Sequence, residues 1–267
     1  MKFSIIVVCL NSGKKLNQTL DSILSQTYQD LEVIVKDGGS RDGSIESMRR
    51  DGRIHLYQEP DHSIYEAMNQ AVAHVTGDYI LFLNCGDFFY DNEVLKHTAD
   101  YMEQHPMKLQ GIYYGDTYSA KTDTKISSPP HITGFVCYRN IPCHQSCFYA
   151  ADLCRQKPYE PKYRIRADYE HFLWCYYRAK APMQYLGLIV SSYEGGGYSE
   201  TKENLKRSAA EHKEITAKYM KPGELFRYRA VMALTLAPLR TAMAESKHFS
   251  AIYQGLTSRV YGRKQEK

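Results

Sequence analysis

The sequence predicts an α/β protein with a doubly wound, mostly parallel sheet and a C-terminal helical extension. Two observations carry this prediction. Up to about residue 110, short apolar runs alternate with segments whose apolar residues recur at helical spacing. The connections between them are short, as expected for crossovers between neighbouring parallel strands. With 267 residues, 43% of them hydrophobic, the chain can bury one large core.

Each element of the first half follows from its local pattern. Residues 3–10, FSIIVVCL, form a continuous apolar run typical of a strand buried on both faces. Leu16, Leu20, Ile23 and Leu24 then recur at helical spacing. The remaining predicted elements are strands at 31–36, 54–58 and 79–83, a short helix before 54–58 and a helix at 64–75.

The pattern changes after about residue 110, where aromatic and polar residues mix and prolines mark loops. The predicted elements are a helix at 168–178, a strand at 183–191, a charged helix at 201–220 and one or two amphipathic helices at 225–260, kinked at Pro238. The segment 194–199, EGGGYS, is either a loop that closes over a ligand or an exposed tip.

We therefore predict one domain at 1–220, made of two halves at 1–110 and 111–220, and a basic amphipathic helical tail at 221–267. The formal net charge is +4. Residues 225–267 contain eight Lys or Arg against two Glu, so the tail carries the positive charge and the remainder is slightly negative. This distribution argues against a nucleic-acid-binding body.

The tail is expected to contact an anionic membrane face through residues 225–260, because basic amphipathic segments bind such surfaces. Packing on the body or dimerisation is the alternative. The longest uncharged run in this region, 230–239, is half the length that a membrane span needs, which is about 20 residues. We therefore expect a cytoplasmic protein that is peripheral on the inner face of the cell membrane.

The cysteines favour the same compartment. There are seven, an odd number, several lie in apolar runs, and no secretory signal precedes the first strand. Cys143, His144, Cys147 and Cys154 could be imagined as a zinc site, but their spacing matches no standard pattern. Free cysteines beside a strand are the favoured interpretation.

Polar residues follow three of the first four predicted strands. Asn11 follows the first strand, Asp37 and Gly38 follow the second, and Asn84 and Asp87 follow the fourth, within LFLNCGDFF at 81–89. Each alone would be an ordinary turn. Together they indicate a ligand site, because ligands of doubly wound sheets bind outside the carboxyl ends of the strands. The glycine spacing matches neither a P-loop nor a dinucleotide fingerprint.

These stretches resemble the family 2 glycosyltransferases, which have the GT-A fold. The resemblance is carried, in order, by SIIVVCLN, VIVKDGGSRDGS, EPDHSIYEAMNQAVAHVTGDYILFLNCGD, PCHQSCFY and IRADYEHFLW. It covers roughly residues 1–195 and is closest in character to the bacterial enzymes that build exopolysaccharide and lipopolysaccharide repeat units. It implies that 1–220 is a glycosyltransferase domain, with a nucleotide-sugar-binding half at 1–110 and an acceptor half at 111–220.

The resemblance implies a role for each matching residue. Asp37 would recognise the nucleotide base, and Asp168 would be the general base. The segment from Asn84 to Asp87 would hold Mg²⁺ or Mn²⁺ against the donor diphosphate, since hard cations suit oxygen ligands. Asn84 and Gly86 stand where the family motif has carboxylates, so metal binding rests on Asp87 or is weaker than usual.

Further residues have two open interpretations each. Glu170 is the rival general base, and Ala167 replaces the Glu that often precedes the base. Tyr65 and Asn69 face either the nucleotide or the acceptor, or they have only a capping and surface role on their helix. His144 and Gln145 either line the acceptor pocket or only form hydrogen bonds within a loop. Asp61 lies in the capping region of the predicted helix at 64–75.

The resemblance implies an inverting, non-processive transfer of one sugar from a nucleotide-diphosphate sugar, with a UDP-sugar favoured, to a glycan or lipid-linked acceptor in surface polysaccharide synthesis. The Gln-x-x-Arg-Trp motif of processive synthases is missing. Two alternatives remain. A sugar nucleotidyltransferase would need a longer glycine-rich basic loop than residues 11–15 provide, and a nucleotide-sugar-binding protein without turnover would fit the departure at Gly86.

Overall fold

A computed structural model describes residues 1–193 and 201–234. The strands are β1 (Phe3–Cys9), β2 (Leu31–Asp37), β3 (Ile54–Gln58), β4 (Tyr79–Phe82), β5 (Asp87–Phe89), β6 (Ile112–Ser119), β7 (Thr124–Ile126), β8 (Cys147–Ala150) and β9 (Met183–Tyr193). The helices are α1 (Lys14–Leu24), α2 (Ile64–Val72), α3 (Val94–Gln104), α4 (Gly134–Arg139), α5 (Ala151–Gln156), α6 (Ala167–Trp174), α7 (Lys202–Tyr219) and α8 (Pro222–Leu234). A 3-10 turn (His144–Ser146) precedes β8, and a π-helical turn (Cys175–Ala179) follows α6.

Within the described residues the nine strands form one sheet in the order β3-β2-β1-β4-β8-β6-β9-β5, with β7 on β6. Strands β1 to β4 pair in parallel, and β8 pairs antiparallel with both β4 and β6. Strand β9 is parallel to β6, while β5 and β7 oppose their neighbours. Six of the nine strands therefore run one way, which confirms the predicted doubly wound, mostly parallel sheet.

The sequence explains the central strands and the helices beside them. Every residue of β1 and β2 is buried, as expected for strands covered on both faces. Helix α1 buries Leu16, Leu20 and Ile23 against the core that these strands form. Helix α2 begins at an N-cap, Ser63, whose hydroxyl accepts a hydrogen bond from the Glu66 amide, so the capping residue is Ser63 and not Asp61.

Some predicted elements differ from the structure. The prediction of a short helix before β3 is wrong. Residues 44–47 form hydrogen-bonded turns, with the amide of Ser47 donating to the carbonyl of Gly43. Elements β5 to β8 and helices α4 and α5 were not predicted, because their mixed aromatic and polar residues show no clear period. Helix α3 was also missed, although Val94, Leu95, Ala99 and Met102 recur at helical spacing and are buried. The segment 194–199 and the kink at Pro238 lie outside the described residues.

The chain divides into two compact units, one of Met1–Ile215 and one that begins at Thr216. In the described part of the second unit, helix α8 exposes Phe226 and Leu234. Among residues 1–193 and 201–234, none of the helices combines the length and the apolar character needed to span a membrane.

A buried carboxylate ties the amino-terminal ends of the central strands together. Glu32 in β2 accepts hydrogen bonds from the Lys2 ammonium at 2.8 Å, from the Ser4 hydroxyl at 2.6 Å, and from the amide and hydroxyl of Thr76 at 2.7 and 2.6 Å. Burial alone would raise the pKa of Glu32, but these hydrogen bonds outweigh burial and lower the pKa to about 2.

We expect Glu32 to stabilise the fold above pH 4.5 and to lose this contribution as the pH falls towards 2, because its pKa is lower in the folded state than in the unfolded state. At about 1.4 kcal/mol per pKa unit, the contribution is on the order of 3 kcal/mol. Urea unfolding of wild type and Glu32→Gln at pH 7 and pH 3 measures it. The gap between the two proteins should narrow at pH 3, and an unchanged gap would contradict this assignment.

Candidate active site

The carboxyl ends of β1 and β2 are joined by the loop that follows β2. The Asn11 side-chain oxygen accepts a hydrogen bond from the Arg41 amide at 2.9 Å, and the Asn11 amide donates to the Ser40 hydroxyl at 2.8 Å. The Gly38 amide donates to the carbonyl of Cys9 at 3.1 Å. Asn11 has a φ of 50°, a left-handed conformation that asparagine tolerates better than most residues. The loop is thus fixed at the sheet edge where ligands of such folds bind.

Asp37 ends β2 as a fully buried carboxylate. It accepts hydrogen bonds from the Ser40 hydroxyl at 2.5 Å, from the Ser40 amide at 3.1 Å and from the Gln58 amide group at 3.1 Å. Burial alone would raise the pKa of Asp37, but these hydrogen bonds hold the pKa below its usual value. Asp37 therefore stays ionised at the sheet edge and shapes the loop around it.

A second carboxylate lies beside this loop, which the sequence did not indicate. The ammonium of Lys36, itself fully buried, lies 2.9 Å from the carboxylate of Asp61. Asp61 packs directly on Gly38, since a Cβ atom at Gly38 would lie 2.6 Å from Asp61 Oδ2. Gly38 is thus required by a close approach between side chain and backbone, and two carboxylates flank the loop that the resemblance assigns to the nucleotide base.

The turn from β4 to β5 is fixed by α1. The Gly86 amide donates to the Thr19 hydroxyl at 3.0 Å, and that hydroxyl donates to the Asp87 carbonyl at 3.0 Å. Gly86 has a φ of 96°, which favours glycine. The Lys15 side chain lies over it: a Cβ atom at Gly86 would be 3.6 Å from the Lys15 ammonium nitrogen. A lysine ammonium thus lies beside the position where the family motif has its second carboxylate.

Four side chains form a line that crosses from the first half of the chain to the second. Asn84 Nδ2 lies 3.4 Å from His144 Nε2, and His144 Nδ1 lies 3.4 Å from Asp168 Oδ2. The Tyr65 hydroxyl lies 2.9 Å from Asp168 Oδ1 and 2.8 Å from the Ile165 carbonyl oxygen. The side chains of His144 and Asp168 keep 22% and 20% of their surface exposed, so a ligand can reach both.

The pKa values of His144 and Asp168 are shifted in the directions that favour an ion pair between them. Burial alone would lower the pKa of His144, but the hydrogen bond and charge of Asp168, with the charge of Asp87, raise it above its usual value. Burial alone would raise the pKa of Asp168, but His144 and the Tyr65 hydrogen bond hold it below its usual value. Asp168 is therefore an ionised, oriented carboxylate at neutral pH, as a proton acceptor must be.

The turn that carries His144 is anchored from below. The Ser146 hydroxyl lies 2.7 Å from the hydroxyl oxygens of both Thr117 and Ser191 and 3.0 Å from the Asp116 carbonyl oxygen. These partners lie on β6 and β9. Because β8 runs antiparallel to β4, it begins at the same edge where β4 ends, and this brings His144 next to Asn84.

The other predicted site residues lie outside this line. Glu170 is fully buried, 3.1 Å from the Lys157 ammonium. Asn69 brackets the backbone of Tyr159, donating to its carbonyl at 2.9 Å and accepting from its amide at 2.8 Å. Gln145 is buried within the 3-10 turn. A cavity of about 270 Å³ lies along α2 towards its C-terminal end, where Asn69, Val72 and Arg155 line it.

The edge offers oxygen ligands for a divalent cation. Among the described residues, no group of three or more His, Cys, Asp or Glu side chains could hold a metal ion. Asp87 provides a carboxylate, and the buried Oδ1 of Asn84 has no hydrogen-bond partner within the described part of the chain. Two such oxygens suit Mg²⁺ or Mn²⁺ whose remaining ligands are phosphate oxygens and water.

The fold and the edge site define a sugar-transferring enzyme of the GT-A type, and comparison with known proteins identifies its family. The Glycosyl transferase family 2 model matches residues 4–151, more than half of the chain. A "PGL/p-HBAD biosynthesis glycosyltransferase" of Mycobacterium bovis is 33% identical over 215 residues, which are 77% of this chain and 83% of the relative. The chain therefore belongs to glycosyltransferase family 2.

Solved structures support the fold. Staphylococcus aureus TarS matches with a TM-score of 0.62 at 20% identity over 73% of this chain and 60% of that chain. TarS in complex with UDP-GlcNAc gives 0.61 at 18% identity over 82% and 71%. A mannosyltransferase of Pyrobaculum calidifontis in complex with GDP-Man and Mn²⁺ gives 0.58 at 14% identity over 98% and 87%. These matches confirm the predicted GT-A fold.

We expect Gly38→Ala to destabilise the protein by about 1–3 kcal/mol, the usual cost of overpacking, because the new methyl group must push Asp61 away from Lys36. Gly52→Ala is the matched control, since nothing lies within 4 Å of the added atom there. Thermal or urea unfolding of both variants gives the comparison. Equal stability of the two variants would show that Asp61 does not pack on Gly38.

Proposed function

We propose that the protein is an inverting, non-processive glycosyltransferase that moves one sugar from a nucleotide-diphosphate sugar to a glycan or lipid-linked acceptor. The observation that carries the proposal is the ionised Asp168, held by Tyr65 and His144 and joined through His144 to Asn84 at the donor edge. One site thus combines a carboxylate for the acceptor hydroxyl with an edge suited to a nucleoside diphosphate. Family membership supports the sugar-transfer step.

The donor is proposed to lie along the loops after β1, β2 and β4. Asp37 is fully buried, so we propose that it recognises the base through the loop that it holds, with Asp61 and Gly38 beside it and Asn11 fixing the loop. Mg²⁺ or Mn²⁺, held by Asp87 and the Asn84 oxygen, would offset the charge that the diphosphate gains on leaving. The Lys15 ammonium supplies further positive charge beside Gly86. A UDP-sugar is favoured, and the UDP-GlcNAc complex of TarS supports this choice.

The chemical step needs one proton acceptor. An acceptor hydroxyl oxygen attacks the anomeric carbon from the face opposite the diphosphate and bonds to it as the bond to the diphosphate oxygen breaks. Asp168 takes the hydroxyl proton, and the nucleoside diphosphate leaves with the electron pair. His144 and Tyr65 fix the two carboxylate oxygens of Asp168, so one orientation of the acceptor is favoured. In-line attack inverts the anomeric carbon.

The proposal extends to the acceptor side and the cellular setting. We propose that His144, Gln145 and Asn69 border the acceptor region, with Glu170 behind it as a structural carboxylate. The basic composition of residues 225–260 supports peripheral contact with the inner face of the cell membrane, where a lipid-linked acceptor of surface polysaccharide synthesis would be. The second candidate, a nucleotide-sugar-binding protein without turnover, is favoured only by the departure at Gly86.

Nucleotide binding tests the donor edge. We expect calorimetry with UDP, GDP and dTDP, each with and without Mn²⁺, to show tightest binding of UDP and a further gain with Mn²⁺. Asp87→Ala should remove the gain, and Lys15→Ala should weaken binding by roughly tenfold with or without Mn²⁺, as expected for one lost charge-assisted contact.

The control variants for this experiment are Asp100→Ala and Lys96→Ala, which remove the same two residue types from a surface ion pair on α3. Both should bind UDP as wild type does. If no nucleotide binds, the donor edge is an ordinary set of turns and the proposal falls. If binding is unaffected by Asp87→Ala and Mn²⁺, the metal assignment alone falls.

Turnover tests the base. We expect Asp168→Asn to lower the release of nucleoside diphosphate from the matching nucleotide-sugar by about 10²–10⁴-fold, the usual contribution of a positioned general base, with donor affinity within twofold of wild type. Glu170→Gln is the matched comparison on the same helix and should affect stability more than turnover. The opposite outcome, with Glu170→Gln inactive and Asp168→Asn active, would transfer the base assignment to Glu170.

A further inference from the structure

A buried carboxylate on α7 holds the segment that precedes Asp168. Glu211 on α7 accepts hydrogen bonds from three consecutive backbone amides: that of Arg164 at 2.9 Å, that of Ile165 at 3.0 Å and that of Arg166 at 2.9 Å. Only 8% of the Glu211 surface is exposed. Hydrogen bonds from amides to a buried carboxylate are among the stronger ones in proteins, because the acceptor is charged.

The position of these amides is what matters for the reaction. Arg166 is the N-cap residue of α6, and its own side chain makes no capping hydrogen bond. Asp168 is the second residue of that helix. The first amides of a helix have no acceptor within the helix. Here the Glu211 carboxylate accepts from the amide of the N-cap residue, Arg166, and from the two amides before it. The position of the Asp168 backbone therefore depends on a side chain 43 residues further along the chain.

The same segment is held from the opposite side by α2. The Tyr65 hydroxyl contacts both the Ile165 carbonyl oxygen and the Asp168 carboxylate. Residue 165 thus has its amide bound to Glu211 and its carbonyl bound to Tyr65. This arrangement fixes the segment in two directions and aims the Asp168 side chain at His144.

Other residues of α7 bind the same region but do not hold this backbone. The Arg166 side chain donates to the Ser208 hydroxyl at 2.7 Å. Glu214 lies 3.0 Å from both the Lys162 ammonium and the Tyr163 hydroxyl. These contacts end on side chains, and Glu214 is more than half exposed, whereas Glu211 binds the backbone directly.

We propose that Glu211 is a positioning residue for the general base: its carboxylate holds residues 164–166 so that Asp168 meets the acceptor hydroxyl in the productive geometry. The proposal rests on the proposed function of Asp168. Both residues lie beyond residues 4–151, which the family model matches. A displacement of about 1 Å in a catalytic group can cost on the order of 10² in rate, so loss of three bonds next to the base should be visible in turnover.

The test compares Glu211→Gln, Glu214→Gln, Asp168→Asn and the double variant Glu211→Gln/Asp168→Asn. The readout is release of UDP from a UDP-sugar, measured well below the melting temperature of each variant, with UDP affinity from calorimetry. We expect Glu211→Gln to lower kcat by about 10- to 100-fold with the KM for the donor and the UDP affinity within twofold of wild type. Glu214→Gln, the control one turn along the same helix, should keep kcat within twofold.

The double variant separates positioning from general support. If Glu211 acts through Asp168, the double variant turns over as slowly as Asp168→Asn alone, because the effects of residues that act as a unit do not add. Additive losses, or a Glu211→Gln variant with at least half of the wild-type kcat, would overturn the proposal.

Two further outcomes are distinguishable. Should Glu211→Gln fail to fold, Glu211→Asp keeps the charge while withdrawing the carboxylate by one methylene, and it should show the same selective loss of kcat to a smaller degree. An unchanged kcat in a folded Glu211→Asp would then count against the proposal. Full activity of Asp168→Asn would instead refute the base assignment on which the proposal rests, whatever Glu211→Gln shows.

Discussion

The parallel pairing of β1 with both β2 and β4 is the constraint on which the rest of the structure depends. Because the strands run in register, Phe3 opposite Leu31 and Tyr79, their carboxyl ends meet at one edge. Loops that are far apart in sequence therefore lie side by side there. Burying the strands on both faces also buries the charged groups Glu32, Lys36 and Asp37, and each is retained because ion pairs or hydrogen bonds replace the lost water.

The position of His144 beside Asn84 depends on the reversal of strand direction at β8. An antiparallel strand starts where its parallel neighbours end, so the turn before β8 brings His144 to the edge where β1, β2 and β4 end. Helix α6 then brings Asp168 to His144, and α2 supplies Tyr65. The proposed donor and acceptor sides thus meet through side chains from four separate segments of the chain. Hydrogen bonds to neighbouring elements hold the segments of Asn84, His144 and Asp168 in place.

The cluster around Asp168 also shows how one carboxylate stays accessible while its neighbours stabilise the structure. Asp168 has an imidazole and a phenol as partners and keeps an exposed edge. Glu170 and Glu211, close to it in space or in sequence, are buried, one beside Lys157 and the other on three backbone amides. Exposure, more than residue type, distinguishes a group that can meet a substrate from one that holds the backbone.

The sequence was enough to predict strands β1 to β4 and their parallel arrangement. Continuous apolar runs and short connections leave few alternatives for these strands. It also indicated Asn11, Asp37, Asn84 and Asp87 as candidates through their positions at strand ends, and Asp168 through the family resemblance. Four contacts became visible only in the folded chain. Asp61 packs on Gly38, and Lys15 lies beside Gly86. His144 contacts Asp168, and Glu211 holds the segment before Asp168. These contacts join residues from 23 to 71 positions apart, and in some cases across an antiparallel pairing that local patterns do not encode, so no periodicity or spacing could reveal them.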